Sequence, residues 1–198
     1  MGKIVLTEFI SIDGVVEAPG GEDFKYPNWT FEFDRGPDGE RYKEAESLQA
    51  AALLLGRRTY EGFAAAWPQY EGELADKYNT MPKYVVSRTL TDPKWAGTTV
   101  LSGDLAQDVT RLKQEIDGEI SVAGSIQLAQ SLLALDLIDE IHLMASPLIL
   151  GHGRRLWAQT PDKTAWTLSE ATVYGDSTLL TIYQRRTMPT ETSGERSR

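Results

Sequence analysis

The sequence predicts an α/β domain built from βαβ units and closed by an antiparallel hairpin. Three observations carry this. Short, β-branched apolar runs bounded by turn residues recur along the chain, and such runs read as buried strands. Segments with apolar residues at helical spacing lie between them, the cleanest being Leu105, Val109, Leu112 and Ile116. Two alternating runs, 164–174 and 177–186, flank Gly175-Asp176 and read as a hairpin.

The stretch 119–145 holds one complete unit. A strand over 120–123 ends at Gly124-Ser125, and a helix follows with Ile126, Ala129, Leu132 and Leu133 on its apolar side. A second strand then places Ile141, Leu143 and Ala145 on one face and His142, Met144 and Ser146 on the other. A glycine-serine turn between strand and helix directs free N–H groups and the positive end of the helix dipole outward, which favours a phosphate. Gly124 equally serves a turn that binds nothing.

From the N-terminus, residues 3–12 are rich in β-branched side chains and end at Asp13-Gly14, so a central strand is expected, continuing briefly over 15–18. Pro19 opens a polar and aromatic segment reaching Gly39, with Tyr26, Trp29, Phe31 and Phe33. A connection of that length inside a compact domain is commonly functional. A helix is expected over 40–49 and a buried strand over 51–55, closed by Gly56. Arg57, Arg58 and Thr59 then occupy the first turn of a helix leading to Trp67, where cations oppose the helix dipole. An anion held between that terminus and a guanidinium would compensate, unless the arginines pair with nearby acids. Residues 68–80 read as a polar connection with a short helix. A strand over 83–86 ends at Ser87-Arg88-Thr89, and one over 98–101 precedes Asp104, an N-cap. Residues 147–157 form a glycine-rich turn carrying His152, Arg154 and Arg155. Residues 1–186 are expected as a single domain, and 187–198, almost without apolar content, as a disordered tail.

Composition narrows the function. Of 198 residues, 41% are hydrophobic and 25% charged, ordinary for a soluble globular protein. A formal charge of −9 argues against nucleic acid as partner. With no cysteine, disulfides, thiolate nucleophiles and cysteine-ligated metals are excluded, and two histidines give a metal site or a Ser-His triad little to build from. Neither a signal-peptide core nor a bilayer-length apolar run is present, so a cytoplasmic location without membrane association is expected.

Three strand ends therefore offer anion-binding groups: Gly56 to Thr59, Ser87-Arg88, and Gly124 to Ile126. Ligands of open parallel sheets sit outside the carboxyl ends of the strands, and three such ends suit a ligand with several phosphates. Neither a Walker sequence nor a strict G-x-G-x-x-G occurs.

The order of these pieces resembles the RibD C-terminal domain family, the reductase domain of riboflavin deaminase-reductases, with its dihydrofolate-reductase-like fold. The matching residues are Ser11 to Gly14, Gly56 to Glu61, Val85 to Arg88, Val122 to Ser125 and Pro147 to Gly151. The resemblance implies a three-layer α/β/α architecture with a mostly parallel central sheet, and NADPH lying across the strand ends. Carried over, Gly56, Arg57, Arg58 and Thr59 would hold phosphate, and Ser87 and Arg88 would meet the adenosine 2′-phosphate. Ala123, Gly124, Ser125 and Ile126 would hold the pyrophosphate. Val122 stands where the riboflavin-pathway enzymes carry a carboxylate, so the resemblance is to a stand-alone relative of different specificity. A homodimer through the C-terminal hairpin is also implied.

Hydride transfer to C=N or C=O needs a proton source as well as a nicotinamide. Asp13 is the first candidate and Glu17 the second, while a carboxylate after a strand also serves as a turn cap. Glu17, Trp29 and Tyr60 are the candidates for the substrate side, entered through the aromatic segment 26–33. The expected function is NADPH-dependent reduction of a small heterocyclic or carbonyl substrate, like the 5-amino-6-(5-phosphoribosylamino)uracil reductases or dihydrofolate reductases. The competing readings are a nucleotide-binding sensor module without turnover and an interaction protein with empty strand ends.

Overall fold

A computed structural model describes residues 1–20, 23–157 and 163–186; the expected tail at 187–198 falls outside the described residues. Strands β1 (Lys3–Ser11), β2 (Ala50–Gly56), β3 (Lys83–Val86), β4 (Thr98–Leu101), β5 (Glu119–Ala123), β6 (Glu140–Ser146), β7 (Trp166–Tyr174) and β8 (Thr178–Arg185) form one sheet. Their order across it is β4-β3-β2-β5-β1-β6-β8-β7. β1 to β6 run parallel, β8 is antiparallel to β6, and β7 pairs antiparallel with β8 as the expected hairpin. The helices are α1 (Gly36–Gln49), α2 (Arg57–Ala66), α3 (Glu73–Thr80), α4 (Leu105–Glu115) and α5 (Ile126–Ala134).

Strands covered on both faces need apolar residues at both parities. β1 supplies Ile4, Val5 and Leu6 in succession, all essentially inaccessible. On β2, Leu54 joins the cluster under α4 and α5, with Leu6, Val109, Leu112, Val122, Ala129 and Leu132. Its neighbours Leu53 and Leu55 join Tyr60 of α2 and Tyr78 of α3 on the other face. Alternate residues of one strand thus serve two cores, which makes the three layers.

Asp104 caps α4 as expected, accepting the Gln107 N–H at 2.9 Å. Residues 15–18 form no strand: Val15 makes one isolated bridge, to Arg155. α1 starts a turn earlier than expected, with proline in its first turn. β6 is covered on both sides, so His142, Met144 and Ser146 on its second face are buried as well.

Candidate functional site

β2 and β5 are neighbours in register, with Leu53 opposite Ser121, so the chain leaves both strands side by side. Gly124 and Ser125 adopt successive left-handed conformations, φ 60° and 57°. A Cβ on Gly124 would also lie 3.1 Å from the Thr59 methyl. A non-glycine residue in that region is strained by about 1–3 kcal/mol and persists only when its surroundings hold it. Here they do: Gly56 N–H donates to Ser125 Oγ at 2.9 Å, and Ser125 N–H donates to Thr59 Oγ1 at 2.9 Å. The two turns are stapled to each other. Gly56 has no side chain and Ser125 Oγ is spent on the Gly56 N–H, so neither N-cap residue caps its own helix, and the first-turn N–H groups of α2 and α5 are left for a ligand or water. Ala123 ends β5 just before the staple, and Ile126 can offer only its backbone, because its side chain is in the core.

The arginines divide into two kinds. Arg57 donates through Nε to Glu61 at 2.7 Å and through Nη1 to Thr89 at 2.6 Å, tying the β2–α2 turn to the exit of β3. Arg58 and Arg88 are exposed. Ser87 is buried, and its hydroxyl accepts the N–H groups of Thr89 and Leu90 at 3.2 and 3.0 Å, so it caps the turn that presents Arg88.

Asp13 is held as a hydrogen-bonded carboxylate. Its carboxylate accepts from Ser11 Oγ (2.7 Å), Leu150 N (3.1 Å), Gly151 N (3.0 Å) and Arg155 Nη2 (3.1 Å). Burial opposes its ionisation, but the Ser11, Leu150 and Gly151 hydrogen bonds outweigh it and hold the carboxyl below its ordinary value. Glu17 is treated the same way: burial is overcome by the Arg154 N–H (2.8 Å), the Arg154 guanidinium (2.7 Å) and the more distant charge of Arg58. Both acids clasp 13–17 to 150–155, reinforced by Val16 N–H to Arg154 O (3.1 Å) and Leu156 N–H to Gly14 O (3.0 Å). Both carboxylates thus cap turns in this structure.

Trp29 and Tyr60 also depart from expectation. Trp29 is fully buried, its indole N–H held by Glu17 O at 2.8 Å. Tyr60 packs in the α2–α3 core, its hydroxyl accepting the Trp95 N–H at 3.1 Å. Both rings are buried in the core. In the aromatic segment Tyr26 and Phe31 are the exposed members, while Phe24 stacks on His152 with ring centroids 5.9 Å apart. Val122 lies in the core beneath α5.

Sequence reasoning missed a buried ionic cluster between α1 and the sheet. His142 on β6 contacts Glu46 of α1 at 2.6 Å and Glu140 at 2.8 Å. Lys43 pairs with Glu46 and donates to Thr7 Oγ1 at 2.9 Å. The available signal was α1 itself, whose sequence shows no apolar stripe for the sheet. Among the described residues no group of three or more His, Asp or Glu side chains is placed to hold a metal.

Comparison with known proteins agrees with this architecture. Residues 2–180 match the family profile of the RibD C-terminal domain. The chain is 25% identical over 181 residues to the uncharacterized protein YwjB of Bacillus subtilis, covering 90% of this chain and 95% of that one. A putative riboflavin biosynthesis protein from Shewanella sp. PV-4 superposes with a TM-score of 0.77 at 20% identity, over 93% of this chain and 99% of that one. Dihydrofolate reductase from Enterococcus faecalis, complexed with NADP(H) and RAB-propyl, superposes with a TM-score of 0.60 at 13% identity, over 93% and 97%.

Proposed function

The chain belongs to the RibD C-terminal domain family, and on that premise we propose that it is an NADPH-dependent reductase acting on a small heterocyclic or carbonyl substrate. The observation that carries the reading is the stapled pair of uncapped helix N-termini on neighbouring strands, with exposed Arg58 and Arg88 beside them. Two positive helix ends suit a pyrophosphate, and guanidinium groups suit the further phosphate that separates NADPH from NADH. The fold is that of a dihydrofolate reductase complexed with NADP(H). When bound, the nicotinamide supplies the hydride. Thr59 and Ser125 fix the cradle, Arg57 sets the position of α2 against β3, and Arg58 and Arg88 select the phosphorylated nucleotide. Asp13 and Glu17 hold the covering loops, and the proton comes from solvent.

Calorimetric titration with NADPH and NADH tests this on wild type and Arg88→Ala. NADPH is expected to bind at least about tenfold tighter than NADH, with most of that preference lost in the variant, as befits one charge-assisted contact. No binding of either nucleotide at millimolar concentration would remove the reading.

A nucleotide sensor without turnover is favoured by one observation: both candidate acids are fully engaged. NADPH binding without oxidation across carbonyl and heterocyclic substrates would select it. The proposal also includes a homodimer through the hairpin, because β7 is an edge strand exposed along most of its length, with Leu168 and Val173 exposed on it. A monomer by sedimentation at micromolar concentration would reject that part.

A further inference from the structure

α1 rests on the sheet by charge. Its buried residues are Gly39 and Glu46, and a helix with so little apolar surface is not held by packing alone. His142 sits opposite Thr7 in the β1–β6 register, buried beneath the helix. Its Nδ1 lies 2.6 Å from Glu46 Oε1 and its Nε2 2.8 Å from Glu140 Oε1. A neutral imidazole carries one N–H and can donate to one carboxylate, leaving the other facing a lone pair. Satisfying both contacts requires the imidazolium.

We propose that His142 is a cationic pin that fixes α1 to the sheet, so that α1 loosens when the ring loses its proton.

The surrounding charges support a pin rather than a spectator. From α1, Glu46 and Lys43 form an ion pair, and the Tyr42 hydroxyl lies 3.2 Å from Nδ1 and 3.3 Å from Glu46. From β6 comes Glu140, which Lys3 of β1 also contacts at 3.0 Å; Lys3 reaches Glu119 of β5 at 3.0 Å as well. From β7, Tyr174 packs on Tyr42 with centroids 5.8 Å apart, and Glu170 adds its charge near the Tyr42 hydroxyl. In the inner set, three carboxylates (Glu46, Glu140, Glu119) balance three cations (Lys43, Lys3 and protonated His142). Removing the ring proton leaves a buried carboxylate uncompensated, which is strongly unfavourable.

The signs define a window. Burial disfavours the charged ring, but Glu46 and Glu140 outweigh it and raise its pKa above 6.5. Burial likewise opposes the Glu46 anion, yet Lys43 and His142 hold its pKa down at about 2. Docking from the ring is therefore fully present below pH 6.5 and lost as pH rises through the raised value. That from Glu46 is fully present above pH 4.5 and lost as pH falls toward about 2. The Arg35 and Lys43 cations each lie 5.1 Å from the Phe9 ring centroid, so loosening α1 uncovers the half of β1 that leads into the Asp13 clasp. This device does not depend on the reductase reading.

Amide hydrogen exchange on the full chain tests it, comparing α1 with α4 as internal reference from about pH 5 to about pH 9, corrected for intrinsic exchange. Protection of α1 relative to α4 is expected to fall about tenfold or more across that range. His142→Gln should show low α1 protection and no such pH dependence. A constant α1-to-α4 ratio in wild type, or the same pH dependence in His142→Gln, would overturn the proposal. Should that variant fail to fold, NMR titration of the wild-type ring decides. A ring that titrates together with α1 loosening supports the pin; one already neutral below pH 6.5, or titrating with α1 unchanged, refutes it.

Discussion

Helices α5 and α1 cover opposite faces of one sheet and are held there by opposite chemistry. α5 buries Ile126, Leu128, Ala129, Leu132 and Leu133 among strand residues that are themselves apolar. Its attachment scales with area removed from water, roughly 25 cal/mol per Å², and involves no charge for salt to screen or protons to remove. α1 buries a glycine and a glutamate, and its anchors are His142, Lys43 and Thr7. Such a contact is close to neutral in net energy when every charge is matched and costly when one is not. The same sheet therefore carries one unconditional helix and one conditional helix. The unconditional one bears the candidate phosphate cradle, and the conditional one borders the strand that leads into the loop clasp.

The largest effect that tests this contrast is Leu132→Ala. The side chain is completely buried, and its truncation should cost about 2–5 kcal/mol in urea denaturation. That cost should be the same at low and high salt and on either side of neutrality. A salt-dependent cost would mean that α5 is not held by apolar burial, and the contrast would fail. Lys43→Met comes next. It removes the ammonium that bridges Glu46 and Thr7, and about 1–3 kcal/mol of local protection should disappear from α1. Exchange in α5 should stay unchanged. Equal losses in both helices would show that they open as one unit.

What was legible in the sequence follows the same division. β1 and β2 announce themselves because parallel strands covered on both faces are apolar at both parities, β3 and β5 because they hold short β-branched runs, and the α4 stripe because that face meets the core. Gly56 and Gly124 were legible as glycine punctuation at strand ends, and at Gly124 a left-handed φ of 60° requires it. The staple between them was not, since Thr59 and Ser125 lie 66 residues apart and Ser125 stands where it could have capped its own helix. Asp13 drew attention as a carboxylate at a strand end, but its partners Leu150, Gly151 and Arg155 come from 137 or more residues away. Glu46 and His142 are separated by 96 residues and meet across two elements whose local patterns do not mention each other. Apolar burial leaves a period in the sequence; ionic pairing between distant elements leaves none.

Lys83 sharpens the contrast from the opposite side, as a buried cation with no carboxylate partner among the described residues. Its ammonium donates to the carbonyls of Asn79 (3.0 Å), Met81 (2.8 Å) and Ala96 (2.9 Å) and lies 4.4 Å from the Trp95 ring. Burial lowers its pKa from 10.5 to about 8. Between those values the unfolded chain binds a proton that the folded chain has released, so stability should rise with pH there. The rise should be at most roughly 3–4 kcal/mol, at 1.4 kcal/mol per pKa unit over the drop from 10.5 to about 8. His142 has the opposite sign and an earlier onset, its contribution falling above pH 6.5. Urea midpoints measured across this range should therefore dip and then recover. Lys83→Met should abolish the recovery and leave the dip, whereas His142→Gln should do the reverse. If Lys83→Met leaves the slope above pH 8 unchanged, the three carbonyls solvate the ammonium as well as water does. Lone buried charges in this protein would then be no more conditional than paired ones, and α1 would owe its pH dependence to the geometry of His142 alone.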